Sequence, residues 1–215
     1  MKHAGNDIID LSSPHTQGKS KDRRYVKRIL TSEEQDVVYR SVKPDKILWA
    51  FWAAKETAYK AVSKLNPFVT SIPVRYNCSI DKTNSRKKLS GIVKTPVCDV
   101  AVAIYTHNDF VHCIGITGEA NPDHEIIYGV HTLDCSAEPD FDRSSERESR
   151  YVREMAQKRL ESHLSWKEDE ISITQNRQAN GIFYPEVFLN NLKTPVDLSL
   201  SHDGRFVAYA FYVNR

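Results

Sequence analysis

Residues 46–65 read KILWAFWAAKETAYKAVSKL. The stretch is rich in Ala and holds neither Gly nor Pro; Pro44 and Asp45 precede it, and the turn-forming pair Asn66-Pro67 follows. Ala and unbranched side chains lose little rotamer freedom in a helix, and Pro is at home only in a helix's first turn. The spacing predicts a long helix over about 45–65. Upstream, TSEEQ (31–35) sets Thr31 three residues before Glu34, a capping box that satisfies free amides of a first turn and starts a shorter helix. Downstream the texture changes. VRYNCSI (74–80), KKLSGIVK (87–94), DVAVAIYT (99–106) and FVHCIGIT (110–117) are short β-branched or aromatic runs separated by polar clusters, which read as antiparallel strands.

The order then repeats. After the polar break GEANPDHE (118–125), EIIYGVHTL (125–133) reads as a strand and SSERESRYVREMAQKRLESHL (144–164) as a second long helix, with Ser145 and Glu148 at capping-box spacing. Strands ISIT (171–174), FYPEVFL (183–189), VDLSLS (196–201) and RFVAYAFYV (205–213) close the chain. A helix followed by strands, twice, predicts an α+β protein of two similar lobes, 1–118 and 119–215, each a long helix packed on an antiparallel sheet. The halves share no clear residue-level repeat.

At 215 residues, with 40% apolar and 27% charged positions, the chain is long enough to bury a core and has the make-up of a globular protein. A formal net charge of +2 argues against wholesale binding to nucleic acid or an acidic membrane, so any electrostatic function is local. No run of eighteen apolar residues and no signal-peptide pattern occurs, and the four cysteines are scattered. A cytoplasmic protein with free thiols is expected.

Three segments offer chemistry. On the long helix Glu56 and Lys60 stand at i, i+4 and leave one face, with Trp52 a turn before and Lys64 a turn after. Taken singly, such a pair is a surface ion pair contributing about 0.3–0.5 kcal/mol. GNDIIDL (5–11) places Asp7 and Asp10 beside Ile8, Ile9 and Leu11, which would tether both carboxylates at the end of a buried segment. SLSHDGR (199–205) gathers Ser201, His202 and Arg205 around Gly204 between two strands, with Arg205 read as structural.

Together the three resemble the signatures of the 4'-phosphopantetheinyl transferases. GNDIIDL is similar to the family's Gly-x-Asp-Ile-x-Glu motif, and RRYVKRILTSEEQ (23–35) with FWAAKETAYKAVSKL (51–65) to the run leading into its Trp/Phe-x-x-Lys-Glu-x-x-x-Lys helix. SLSHDGRFVAYAF (199–211) is similar to its Ser-His strand. In the larger, surfactin-type members the Ser-His lobe comes first, whereas here it comes last, so the chain resembles a circular permutant of a pseudo-dimeric fold. EIIYGVHTL, RYVREMAQKRL (150–160) and NGIFYPEV (180–187) then resemble that lobe's first strand, first long helix and Gly-x-Pro loop. Permutation is tolerated where termini lie close together, which would bring Arg215 near Met1. The small holo-acyl-carrier-protein synthases share the Asp-to-Lys-Glu order but pair as oligomers; two lobes in one chain would make this protein a monomer. The sequence departs from the family in having Asp10 for the usual Glu, in a Gly-x-Pro loop two residues longer and without its Lys, and in SSPHTQGKS (12–20) where the small synthases carry an Arg-bearing helix.

The resemblance implies transfer of the phosphopantetheine arm of coenzyme A to a serine of an apo carrier protein, with release of 3',5'-ADP. It implies Mg²⁺ held by Asp7, Asp10 and Glu56, with Glu56 or a water it orients as base for the serine. Lys60 would stabilise charge on the leaving group and Lys55 would reach a phosphate. Ser201, His202 and Arg150 would hold coenzyme A phosphates. KSKDRRYVKR (19–28) carries six cations and one acid. It reads either as a solvated basic loop or as a salt-sensitive docking face of Lys19, Lys21, Arg23, Arg24, Lys27 and Arg28 for an acidic acyl or peptidyl carrier. A silent coenzyme A or carrier-binding module is the alternative to an enzyme. A nucleic-acid binder using the basic run fits less well, since no aromatic side chains interleave a basic surface.

Overall fold

The computed structural model describes residues 1–81, 87–133, 144–177 and 183–214. In chain order these form strand β1 (Ala4–Asp10), a 3-10 turn at Lys19–Lys21, and helices α1 (Arg23–Ile29), α2 (Ser32–Arg40) and α3 (Pro44–Leu65). Strands β2 (Asn77–Ile80), β3 (Lys88–Lys94), β4 (Asp99–Thr106) and β5 (Phe110–Thr117) follow, then a short helix α4 (Pro122–Glu125). Strand β6 (Ile127–Thr132), helix α5 (Ser144–Leu164) and strands β7 (Ile171–Arg177), β8 (Phe183–Leu189), β9 (Leu192–Asp203) and β10 (Phe206–Val213) complete the chain.

Both long helices fall where composition places them, and the capping box at α2 is present: Thr31 Oγ1 accepts from the Glu34 amide and Glu34 Oε2 from the Thr31 amide, at 3.4 and 2.8 Å. Part of the basic run is helical as α1, with Asp22 as N-cap accepting from the Tyr25 amide. The side chain of Ser145, Cys135 and the opening of the Gly-x-Pro loop lie outside the described residues. The described cysteines, Cys78, Cys98 and Cys113, are free thiols.

The two antiparallel sheets share one topology, β1-β5-β4-β3-β2 and β6-β10-β9-β8-β7. In each, the first strand pairs with the last and a long helix connects the first strand to the second. The repeat that the residues hide is therefore plain in the connectivity, and the fold is α+β with two similar lobes. Each lobe has its own core. In the first, α3 lays Leu48, Phe51, Ala54, Ala58, Ala61 and Val62 on the sheet; in the second, Val152, Ala156 and Leu160 of α5, spaced i, i+4, i+8, meet Val187, Leu198, Val207 and Phe211.

β1 joins the lobes. Its odd residues face α3: a Cβ on Gly5 would lie 2.1 Å from the Thr57 carbonyl oxygen, so only glycine lets strand and helix backbones approach this closely. Its even residues face the second lobe, where Ala4 packs with Ala210, and Ile8 with Phe206 and Ala208. The outer amides of β1 are satisfied by side chains of β9: those of Ala4, Asn6 and Asp10 donate to Asp197, Ser199 and Asp203, at 2.9, 3.0 and 2.8 Å. Each pair is separated by 193 residues, so the two strands run in constant register. The Lys2 amide donates to Asn214 Oδ1 at 3.2 Å, bringing the two ends of the chain together.

Candidate active site

A buried strand flanked on one face by a helix and on the other by a second lobe sends successive side chains to different partners. Asp7, at an odd position, looks at α3, where Lys60 Nζ donates to its Oδ1 at 2.8 Å and to the Asn6 carbonyl at 3.0 Å. Glu56, one turn earlier on the same helix face, shares this space, as the electrostatics record. Burial and the charge of Asp7 push the Glu56 carboxyl up to about 7, and Lys60 offsets this only in part. Burial also raises Asp7, against the pull of Lys60, the Ile8 amide and His202. Two buried carboxylates whose values burial raises, with one ammonium between them, are chemistry that an added cation would satisfy. Hard oxygen donors of this kind suit Mg²⁺, which keeps several waters and asks few ligands of a protein.

Tyr25, Tyr59 and Tyr76 surround Glu56. Burial is the main cause of their raised phenol values, with Tyr25 reaching about 12, and the Glu56 charge adds to each. Tyr25 belongs to α1 and packs on Trp49 and Trp52, with ring centroids 6.0 and 6.3 Å from its own, so the basic helix is fixed against α3. The second lobe contributes His202, from the C-terminal end of β9.

Residues 4–99 match the family model of the 4'-phosphopantetheinyl transferase superfamily. The match covers just under half of the chain, and through this stretch the chain is similar to that superfamily. The matched residues include Asp7, Glu56 and Lys60. The chain is also similar to the crystal structure of holo-[acyl-carrier-protein] synthase from Neisseria meningitidis, at 20% identity over 54% of this chain and 98% of that one, with a TM-score of 0.43. Holo-[acyl-carrier-protein] synthase from Thermotoga maritima matches at 11% identity over 90% of this chain and 86% of that one, with a TM-score of 0.38. No curated protein sequence matches the chain.

Not every residue that the superfamily resemblance singled out reaches the cleft. Asp10 does not. Three residues along a strand is an odd step, so Asp10 faces away from Asp7, and its carboxylate is taken by Arg205, Nε at 3.0 Å and Nη2 at 3.2 Å, and by the Ser12 amide at 2.9 Å. Burial raises its value, but these hydrogen bonds outweigh burial and hold the carboxyl well below the usual range. The expected acidic trio is thus a pair: among the described residues no three acidic, His or Cys side chains group as a metal site. Arg205 is structural, as read. Gly204, in the left-handed region at φ 54°, closes its turn directly over the Asp10 carboxylate.

Lys55 is the second correction. One residue from Glu56 is about 100° around a helix, and this turns Lys55 into the core, 1% exposed. Its Nζ lies 2.6 Å from Glu34 Oε2 and donates to the carbonyls of Ile29 and Pro73 at 2.8 and 3.1 Å. Burial lowers its value, opposed by Glu34. Lys55 ties α1, α2 and the 73–75 turn together and has no path to a phosphate.

Ser201 is buried in the seam, its Oγ accepting from Asn6 Nδ2 at 3.0 Å. Arg150 lies on the exposed face of α5, 4.0 Å from Glu154, and lines a separate cleft of about 230 Å³ with Arg147 and Tyr151. Of the six docking cations, Lys21, Arg23, Arg24, Lys27 and Arg28 are exposed, and Lys19 and Arg28 each lie over the Tyr25 ring.

Sequence reasoning gave no role to three residues that shape this region, although it set Lys64 on the Glu56–Lys60 face. Lys64 continues the 56-60 stripe, and its Nζ bridges the Ala4 and Leu198 carbonyls, both at 2.8 Å, and Asp197 at 2.5 Å. Helical spacing was the available signal. Asp197, also paired with His3 at 2.6 Å, and Asn6 have no local signature, because their roles arise only when β9 lies along β1.

Proposed function

We propose that the chain transfers the 4'-phosphopantetheine arm of coenzyme A to a serine of an apo carrier protein and releases 3',5'-ADP, in a Mg²⁺-dependent reaction. The observation that carries this reading is the meeting of Asp7, Glu56 and Lys60 between β1 and α3. Asp7 and Glu56 would hold the Mg²⁺, which when bound neutralises diphosphate charge so that an alcohol can approach phosphorus. Glu56, with its carboxyl poised near neutrality, accepts the proton of the serine hydroxyl, directly or through a water it orients. The Lys60 ammonium, fixed by Asp7 and the Asn6 carbonyl, stabilises the charge that develops on the departing 3',5'-ADP. His202 reaches coenzyme A phosphate from the other lobe, and Ser201 holds that lobe in register through Asn6.

The exposed cations of α1 flank this cleft, and opposite charge on an acidic carrier would speed encounter there, with affinity falling as salt rises. Lobes 1–118 and 119–215 form one site within one monomeric chain. Intact mass of a panel of apo carriers, incubated with coenzyme A and Mg²⁺, tests the reading. At least one carrier gains the arm, chelation by EDTA stops the gain, Mg²⁺ restores it, and Glu56→Gln abolishes it with circular dichroism unchanged. Undiminished transfer by Glu56→Gln removes the role given to Glu56. Coenzyme A binding without mass gain on any carrier would instead favour a silent binding module.

A further inference from the structure

Glu148 takes no part in the function above. On α5 it stands one turn before Val152, at the end of the 152-156-160 stripe that packs on the second sheet. An apolar side chain there would extend the core. A carboxylate at this place instead reaches over the sheet to the end of β9, where its Oε2 lies 2.7 Å from Nδ1 of His202. The two side chains are 20% and 37% exposed, so the contact is partly shielded and the imidazole keeps one open edge.

An ionised carboxylate can only accept, so the hydrogen of this contact sits on Nδ1 and the ring's rotation about its side-chain bonds is fixed. Nε2 is left as the atom offered to a ligand. Among the described residues, Glu148 of α5 pairs with the ring and the charge of Asp7 on β1 acts on it, while the residue opposite it on β10 is Val207. We infer that Glu148 is a positioning residue: it orients His202 so that, when the ring carries both protons, Nε2–H donates to a phosphoryl oxygen of the coenzyme A donor beside Asp7 and Lys60. The identity of the ligand rests on the transferase reading. In metal sites, removing a carboxylate that orients a ligating imidazole lowers affinity by about tenfold or more, and a loss of the same order is expected for a phosphate held by an oriented ring.

Calorimetric binding of 3',5'-ADP tests this without requiring any carrier or turnover. Glu148→Ala is expected to weaken binding about tenfold at an unchanged melting temperature, while Glu148→Gln, which keeps an acceptor, stays within about threefold of wild type. Because Glu148 acts through the ring, the double variant Glu148→Ala/His202→Ala binds no more weakly than His202→Ala alone. In turnover, Glu148→Ala raises KM for coenzyme A and leaves kcat near its original value. Wild-type affinity in Glu148→Ala, or additive losses in the double variant, overturns the inference while the transferase reading stands. A wild-type protein that does not bind 3',5'-ADP overturns both.

Discussion

Lys55 and Glu56 adjoin in sequence but not in surroundings, and the contrast decides how variants at each should behave. The Lys55 ammonium is the counter-charge of Glu34, whose carboxylate also caps α2 and accepts from the Cys78 amide at 2.7 Å. Lys55→Met removes one partner of a buried pair and should cost about 3–5 kcal/mol in urea denaturation, with Glu34→Gln in the same background recovering part of the loss. KM for coenzyme A in the folded fraction should not move. A selective rise in KM would return Lys55 to the donor site. Glu56 behaves in the opposite sense. Its carboxyl titrates near 7 folded and near 4.5 unfolded, so between these values the folded chain binds more protons, and this group's contribution is present below pH 4.5 and lost as pH rises through 7. Metal binding answers the same uncompensated charge. Mg²⁺ should therefore raise the melting temperature more at pH 8 than at pH 5, and Glu56→Gln should flatten that difference. An equal Mg²⁺ effect at both pH values, or an effect that survives the substitution, would place the ion elsewhere.

At the scale of elements, β1 governs the geometry, and Gly5 governs β1. A methyl group here meets the Thr57 carbonyl, a backbone atom that cannot rotate away. Gly5→Ala should cost about 1–3 kcal/mol and push the strand off α3. Because Asp7 is two residues farther along the same face, arm transfer should fall more steeply than stability. Parallel losses in chemical denaturation and initial rate would show that the site tolerates the displacement. The same strand marks the limit of what the sequence discloses. Helices α3 and α5 are legible because their composition and breakers are local, as are strands β2 to β10 through their texture. β1 is buried on both faces, so the alternation that betrays a half-exposed strand is absent, and GNDIID reads as an acidic buried end. From that follows the misplacement of Asp10, since only strand geometry separates position 7 from position 10. Glu56 and Lys60 were legible because the helix itself sets their common face, whereas Lys55 required knowledge of which face is covered.

Across the whole molecule, the site depends on the second lobe keeping its register along β1, and this register is held by side chains rather than by a strand ladder. Asp197, Ser199 and Asp203 satisfy the outer amides of β1, and the side chains of Lys64, His3 and Asn6 also bind β9. None of these contacts requires the polypeptide to pass from one lobe to the other through residues 118–126. That linker is pinned independently: Asp123 takes Lys88 Nζ at 2.5 Å and the Tyr105 hydroxyl. Since Lys2 and Asn214 are in hydrogen-bond contact, a short Gly-rich joint between the two ends, with the chain reopened at Glu119–Ala120, leaves both sheet topologies and the seam intact. Such a permutant should fold, melt within a few degrees of the parent, and transfer the arm at a comparable rate, with its lobes in the order the surfactin-type enzymes use. Should it fold into two lobes that unfold in separate calorimetric transitions and transfer nothing, the linker, and not the β1–β9 seam, would be what aligns His202 with Asp7 and Lys60.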